Sequence, residues 1–104
     1  MTKKINTIEE LNAETKEGVT IVDFYADWCG PCKALAPTLE TLTENNNDKL
    51  KVLKVDVDKN PELAGKYDVK GIPALFFFKN GSITGSVTGN LPLHELQQRV
   101  DQLL

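Results

Sequence analysis

The sequence is poor in cysteine and histidine and carries no large excess of one charge. Of its 104 residues only two are cysteines, and there is one histidine, one methionine and one tryptophan. With no second cysteine pair and His94 far along the chain, a zinc site is not expected. The net charge is -3, from 12 basic and 15 acidic residues, which argues against a phosphate-binding surface and a nucleic-acid partner.

The N-terminal stretch MTKKINTIEELNAETKEG has two lysines and no apolar run after them. It therefore predicts neither a secretory signal nor a membrane span, and we expect a soluble, cytoplasmic monomer. The length is that of one domain, residues 1–104, and no repeat or linker divides it. In a reducing compartment, a close cysteine pair indicates catalysis or metal binding rather than a structural disulfide.

Both cysteines lie in the heptapeptide DWCGPCK, residues 27–33, with a glycine and a proline between them. Closing so short a loop constrains the unfolded chain very little, so the pair indicates chemistry rather than stabilisation.

The chain predicts alternating strands and helices. Thr7 and Glu10 form a capping box for a short helix that ends by Gly18, after a short edge strand around Ile5. The further predictions are a central buried strand over 19–26, a helix from about 31 to 46 interrupted and kinked at Pro37, a strand over 50–58, a helical turn from Pro61, a hairpin around Asn80-Gly81 and an amphipathic helix from about Pro92.

This order predicts an α/β protein, a three-layer α/β/α sandwich with a mixed sheet of about five strands and about four helices. The first two long strands should be parallel, because a helix joins them. Ligand sites in such sheets lie beyond the carboxyl ends of the parallel strands, which is where DWCGPCK falls.

A thiol attacks a disulfide only as its thiolate. If the helix begins near Pro31, Cys29 lies at its N-terminus, where free backbone N–H groups and the helix dipole favour a negative sulfur. Cys29 would then attack a target disulfide, and Cys32, within the first turn, would resolve the mixed disulfide. Gly30 permits close backbone approach, and Pro31 presets helical dihedral angles.

The segments VDFYADWCGPCK, KVDVD and GIPALFFFKNG, with a late glycine before the last helix, resemble the thioredoxin family over nearly the whole chain. The resemblance implies the thioredoxin fold and a protein-disulfide reductase that a thioredoxin reductase recycles with NADPH. It implies no bound cofactor beyond the redox-active Cys29–Cys32 disulfide, and disulfide-containing proteins as targets.

The resemblance also assigns roles to two charged residues. It implies that Asp23 is buried and accepts the proton of Cys32, and that Lys54 supports Asp23 electrostatically. From the pattern alone, a water-facing aspartate is as good a reading of Asp23, and a solvated side chain is the ordinary reading of Lys54.

Six further residues are expected to bind the target. The family places a cis-proline, here Pro73, opposite the cysteines, and uses the backbone of Ile72 for strand addition; a trans proline that starts a strand is the ordinary alternative. The resemblance adds Trp28, Gly30, Pro31 and Gly89 to this rim, where core packing is the alternative for Trp28 and a turn for Gly89.

Three positions depart from the family pattern: Ala74 after the proline, and Thr88 and Asn90 beside the late glycine. A more polar rim would alter which partners dock. Two other functions remain open at this point, an assembly module with dispensable cysteines, and an oxidase or isomerase, which would require an oxidising compartment.

Overall fold

Five strands and four helices form the chain in the computed structural model, which describes residues 2–104. In chain order they are β1 Thr2–Lys4, α1 Ile8–Thr15, β2 Val19–Tyr25, α2 Gly30–Asn45, β3 Leu50–Asp56, α3 Pro61–Lys66, β4 Ala74–Lys79, β5 Ser82–Thr88 and α4 Leu93–Leu103. The predicted order of elements is confirmed.

The strands form one mixed sheet with the spatial order β1-β3-β2-β4-β5. β3 pairs in parallel with both β1 and β2, whereas β4 is antiparallel to β2 and to β5. All seven residues of β2 are buried in the middle of the sheet, as predicted for 19–26. The predicted edge strand is β1, which ends one residue before Ile5.

The helices cover the sheet on both faces and enclose two apolar cores. Because side chains alternate along a strand, Ile21 of β2 points into one core and Val22 into the other. The core that contains Ile21 also holds apolar residues of α2 and α4, and the core that contains Val22 holds residues of α1 and α3. The architecture is the predicted three-layer sandwich.

The first two helices show how local sequence sets their ends. Thr7 caps α1, since its hydroxyl accepts a hydrogen bond from the backbone N–H of Glu10 at 3.1 Å. The Glu10 carboxylate accepts from the N–H of Asn6, also at 3.1 Å, so the return bond of the capping box goes one residue further back. In α2, Pro37 does not interrupt the helix, which is continuous through it.

The predicted hairpin joins β4 and β5 through Asn80 and Gly81. Both residues have positive φ, 49° and 88°, which is the backbone that a two-residue type I′ turn requires. The Asn80 side chain also accepts a hydrogen bond from the N–H of Gly18 at 2.8 Å, which ties the turn to the loop before β2. Within residues 2–104, no helix is both long enough and apolar enough to cross a membrane.

Candidate active site at the amino end of helix α2

The two cysteines lie where β2 passes into α2, beyond the carboxyl end of a parallel strand, as predicted. The N–H of Cys29 donates to the carbonyl of Ala26 at 3.2 Å, which closes the turn after the strand. Cys29 then has extended backbone angles and caps the helix, which begins at Gly30. Its carbonyl accepts the N–H of Lys33 at 3.1 Å, the first bond of the helical ladder.

Cys29 and Cys32 form a disulfide, with their Cα atoms 5.2 Å apart. Both residues are buried, with 4% and 5% of their surface exposed, so exposure does not distinguish them. Hydrogen bonding does: the backbone N–H of Cys32 donates to Sγ of Cys29 at 3.2 Å. A donor directed at that sulfur at the positive end of a helix favours the thiolate form of Cys29 once the pair is reduced.

Asp23 is buried, and the alternative of a water-facing strand residue is wrong. Only 1% of its surface is exposed, and within residues 2–104 its Oδ1 atom has no hydrogen-bond partner. Burial raises the pKa of Asp23 to about 6, and the positive charge of Lys54 opposes part of that rise. The carboxyl group therefore changes protonation close to neutral pH.

Strand alternation places Asp23 on the same side of the sheet as Cys32. Asp23 is two residues beyond Ile21, whose side chain lies in the core shared with α2. Cys32 and Leu35 are buried one turn apart on the sheet-facing side of α2. Since a crossover helix runs antiparallel to its strands, the end of β2 and the start of α2 meet at this layer.

Lys54 is half-buried on β3, where its Cα is the register partner of the Asp23 Cα. Its ammonium nitrogen lies 4.7 Å from the centre of the Tyr25 ring. The solvated alternative for Lys54 is therefore only partly right, because one face of the ammonium group contacts an aromatic ring.

The loop before β4 also lies next to the disulfide. The Ile72–Pro73 peptide bond is cis, so the trans alternative is wrong. Sγ of Cys29 lies 4.0 Å from the carbonyl oxygen of Ile72, across 43 residues of sequence. Gly89 has φ of 106°, and its N–H donates to the Pro73 carbonyl at 2.8 Å, so the late glycine is tied to the same loop.

The surface beside the disulfide exposes a large aromatic side chain and two small residues, with charged residues around them. Trp28 is 69% exposed, which rules out the alternative of core packing, and Gly30 and Pro31 are exposed beside it. A Cβ atom built on Gly30 would meet nothing within 4 Å. The packing of this chain therefore does not require a glycine at this position, and its lack of a side chain leaves the surface beside Cys29 open. Next to Trp28 is a groove of about 210 Å³, lined by Trp28, Val57, Ala64, Val69, Lys70 and Ile72.

Two residues of this site were missed by sequence reasoning. Asp58 accepts a hydrogen bond from the Trp28 indole Nε1–H at 2.8 Å and so holds the exposed ring. Tyr25 belongs to the buried cluster that contains both cysteines and also contacts Lys54. Asp58 carries no sequence signal, because 30 residues separate it from Trp28; for Tyr25, the only signal is its place at the end of the strand that leads to the cysteines.

The positions that depart from the family pattern lie at the rim. Ala74 is buried and faces Thr88 in the β4–β5 register, and the Thr88 methyl group packs close to Gly71. Thr88 and Asn90 are exposed, so their polar side chains are accessible on this side of the rim.

Comparison with known proteins gives one consistent family. The thioredoxin family model matches residues 2–102. Thioredoxin from Bacillus subtilis is 48% identical over 98 residues, which cover 94% of each chain, and thioredoxin from Listeria monocytogenes is 40% identical over 102 residues, 98% of each chain. Among solved structures, a mutant thioredoxin from Halobacterium salinarum is similar with a TM-score of 0.92 and 37% identity, over 98% of this chain and 89% of that one.

Proposed function

The chain belongs to the thioredoxin family and is a protein-disulfide reductase that works through a dithiol, and from this premise we propose which residue carries out each step of the reaction. Cys29 is the attacking thiolate and Cys32 the resolving one. The observation that carries this assignment is the hydrogen bond from the Cys32 N–H to Sγ of Cys29 at the helix N-terminus, which favours a negative charge on that sulfur.

The reaction moves two electrons from the dithiol to the target. The Cys29 thiolate attacks one sulfur of the target disulfide, forms a mixed disulfide and releases the other target sulfur as a thiolate. The Cys32 thiolate then attacks Sγ of Cys29, which breaks the mixed disulfide and releases the second target thiolate. The two target thiolates take up protons, and the chain is left with the Cys29–Cys32 disulfide.

Cys32 must lose its proton before it can resolve the mixed disulfide, and we assign that proton to Asp23. Both residues face the layer between the sheet and α2, in its section nearest the disulfide. A carboxyl group with a pKa of about 6 is a suitable acceptor near neutral pH, because it is mostly ionised there and still basic. Lys54 has a supporting role, since its positive charge favours the ionised form of Asp23.

The target polypeptide docks as an extended strand against the backbone of Ile72, with its reacting sulfur next to Cys29. The 4.0 Å separation between Sγ of Cys29 and the Ile72 carbonyl supports this arrangement, because a strand paired there would lie over the disulfide. Trp28, Gly30 and Pro31 form one side of the docking rim. Pro73 and Gly89 form the other.

For turnover, the oxidised pair must be reduced again. We infer that a thioredoxin reductase does this with electrons from NADPH, and that the chain itself needs no bound cofactor. We further infer that it works as one domain and as a monomer in the cytoplasm, since a dithiol donor requires a reducing compartment. An assembly role with dispensable cysteines is not favoured, because residues of β2, α2 and the loop before β4 all lie around the disulfide.

Reduction of insulin disulfides, with dithiothreitol as the electron source, tests the assignment. We expect wild-type protein to accelerate the reaction, Cys29→Ser to be inactive, and Cys32→Ser to accumulate a mixed disulfide through Cys29 that mass spectrometry detects. If Cys32→Ser were inactive without trapping the target while Cys29→Ser trapped it, the two roles would be reversed. A wild-type rate equal to that of dithiothreitol alone would contradict the reductase function.

A further inference from the structure

Tyr25 lies in the buried cluster of the cysteine pair and contacts a charged group of the site. Its ring packs in the cluster that contains Cys29 and Cys32, with only 8% of the residue exposed. The Lys54 ammonium nitrogen lies 4.7 Å from the centre of the same ring. This distance is within the range of a cation–π contact, which is stronger when the cation is partly shielded from water, as Lys54 is.

Strand geometry brings Lys54 and Asp23 side by side. Their Cα atoms are register partners in the parallel pair of β2 and β3, so their side chains point to the same face of the sheet. Tyr25 is two residues beyond Asp23 on β2 and shares that face. The ring, the ammonium group and the carboxyl group thus occupy adjacent positions.

The ammonium group is nevertheless not bonded to the carboxylate. In the part of the chain that the structure describes, no ion pair within 4.0 Å joins Lys54 to Asp23, and Asp23 Oδ1 has no hydrogen-bond partner. A lysine side chain beside a buried carboxylate would ordinarily bond to it or extend into water. Here the ammonium group instead lies over the Tyr25 ring.

We propose that Tyr25 is a positioning residue, whose ring holds the ammonium group of Lys54 near the Asp23 carboxylate without pairing the two. For its functional consequence this inference rests on the proposed role of Asp23. A direct ion pair would stabilise the Asp23 anion and weaken it as a proton acceptor, whereas loss of Lys54 to water would raise the pKa of the buried carboxyl group further and leave less of it ionised. The ring thus keeps the pKa of Asp23 between the lower value of a direct ion pair and the higher value without Lys54.

Other charged and titratable groups act on the same cluster. Burial raises the pKa of Tyr25, and nearby Asp56, Asp27 and Asp23 raise it further, while Lys59 lowers it. Cys32 on α2 faces the layer from the opposite side. Because Asp56, Asp27, Lys59 and Cys32 remain in every variant below, the comparison isolates the Tyr25 side chain and the Lys54 ammonium group.

The test is an NMR titration of the Asp23 carboxyl group in the oxidised protein, where the disulfide-bonded cysteines do not titrate. Tyr25→Leu removes the ring, and Tyr25→Phe is the matched control that keeps it. We expect the Asp23 pKa to rise in Tyr25→Leu, because Lys54 then extends into water, and to stay at its wild-type value in Tyr25→Phe. Lys54→Met should give the same rise, and adding it to Tyr25→Leu should give no further rise.

A Tyr25→Leu protein in which the Asp23 pKa equals that of Tyr25→Phe, or falls below it, would overturn the proposal. A second measurement needs no variant: the Lys54 Hε protons of the wild type should show an upfield ring-current shift, and ordinary random-coil positions would also overturn it. These readouts do not involve reductase activity. Failure of the insulin assay and failure of this proposal are therefore distinguishable.

Discussion

Asp23 is an ionisable group that the fold keeps in an unfavourable environment. An aspartate with a pKa of about 6 binds its proton more tightly in the folded chain than in the unfolded one, where the ordinary value is 3.8. The folded state therefore loses stability as the pH rises through that interval. The difference corresponds to about 3 kcal/mol at neutral pH, so a group suited to proton transfer lowers the stability of the protein.

Asp23→Asn should remove this loss. Near pH 7.5 we expect the free energy of unfolding of the oxidised protein to increase by about 3 kcal/mol, and near pH 3 by roughly zero, because wild-type Asp23 is mostly protonated there in both the folded and the unfolded state. Urea unfolding at a series of pH values measures the difference between variant and wild type. An increase that stays constant across the series would mean that Asp23 is not the titrating group.

Thr20, like Asp23, has a buried polar atom without a hydrogen-bond partner in the described chain, and no proposed function uses it. It is fully buried on β2, and within residues 2–104 its hydroxyl oxygen has no hydrogen-bond partner. Thr20→Val, which keeps the shape, should therefore stabilise the protein by about 1 kcal/mol. Thr15→Val is the matched control: the Thr15 hydroxyl, also buried, donates to the Leu11 carbonyl at 2.9 Å, so this change should destabilise by about 1 kcal/mol. If urea unfolding gave both variants the same sign, hydroxyl satisfaction would not be the cause.

Among the elements, the amino end of α2 and the β4–β5 hairpin depend most directly on backbone conformation. At the start of α2, the extended conformation of Cys29 leaves the N–H of Cys32 free to bond its sulfur. In the hairpin, positive φ at Asn80 and Gly81 turns the chain in two residues. β4 then carries Ala74 directly after the cis Pro73, so the hairpin supports the loop that faces the disulfide.

Gly81→Ala tests the turn. A residue with a Cβ atom at φ of 88° is strained, although the added methyl group would meet only ordinary contacts, so we expect a loss of about 1 to 2 kcal/mol. Gly85→Ala in β5 is the control, because its φ is not positive and the added atom would meet nothing within 4 Å. Thermal or urea unfolding of the two variants gives the comparison, and an equal loss in both would show that the turn conformation is not responsible.

For the molecule as a whole, oxidation state and stability should be linked through the short Cys29–Cys32 loop. By the chain-entropy estimate, closing so small a loop stabilises the folded state by about 2 kcal/mol, which is small beside the roughly 5 kcal/mol expected of a loop of about 100 residues but large enough to measure. Urea unfolding with and without reductant should therefore show a lower midpoint for the reduced protein. The variant that combines Cys29→Ser and Cys32→Ser should not respond, because the chain has no other cysteine. A response in that variant would mean that the reductant acts on something other than the disulfide.

At this scale, the site also depends on the order of strands in the sheet. β2 lies between β3 and β4, so residues before and after the cysteines in sequence meet around them. Lys54 comes from β3, Asp58 from the loop that follows it, and Ile72 from the loop before β4. No segment of the chain contains the site by itself.

Local sequence determined the elements and the reactive pair. The Asn80-Gly81 turn, the Thr7 cap, the continuous apolar run of β2 and the position of Cys29 at a helix start all follow from interactions within a few residues, and the fold confirms them. The interruption predicted at Pro37 is wrong, because packing of α2 against the sheet outweighs the one backbone hydrogen bond that a proline removes.

Only the tertiary structure decided which alternatives hold at the remaining residues. Asp23 could have faced water and Trp28 the core, and the sequence alone does not exclude either, because both depend on what covers each face of the sheet. The contacts of Trp28 with Asp58 and of Tyr25 with Lys54 join residues from different strands and loops. Strand register sets such contacts, and register is fixed by the packing of the whole sheet rather than by neighbouring residues.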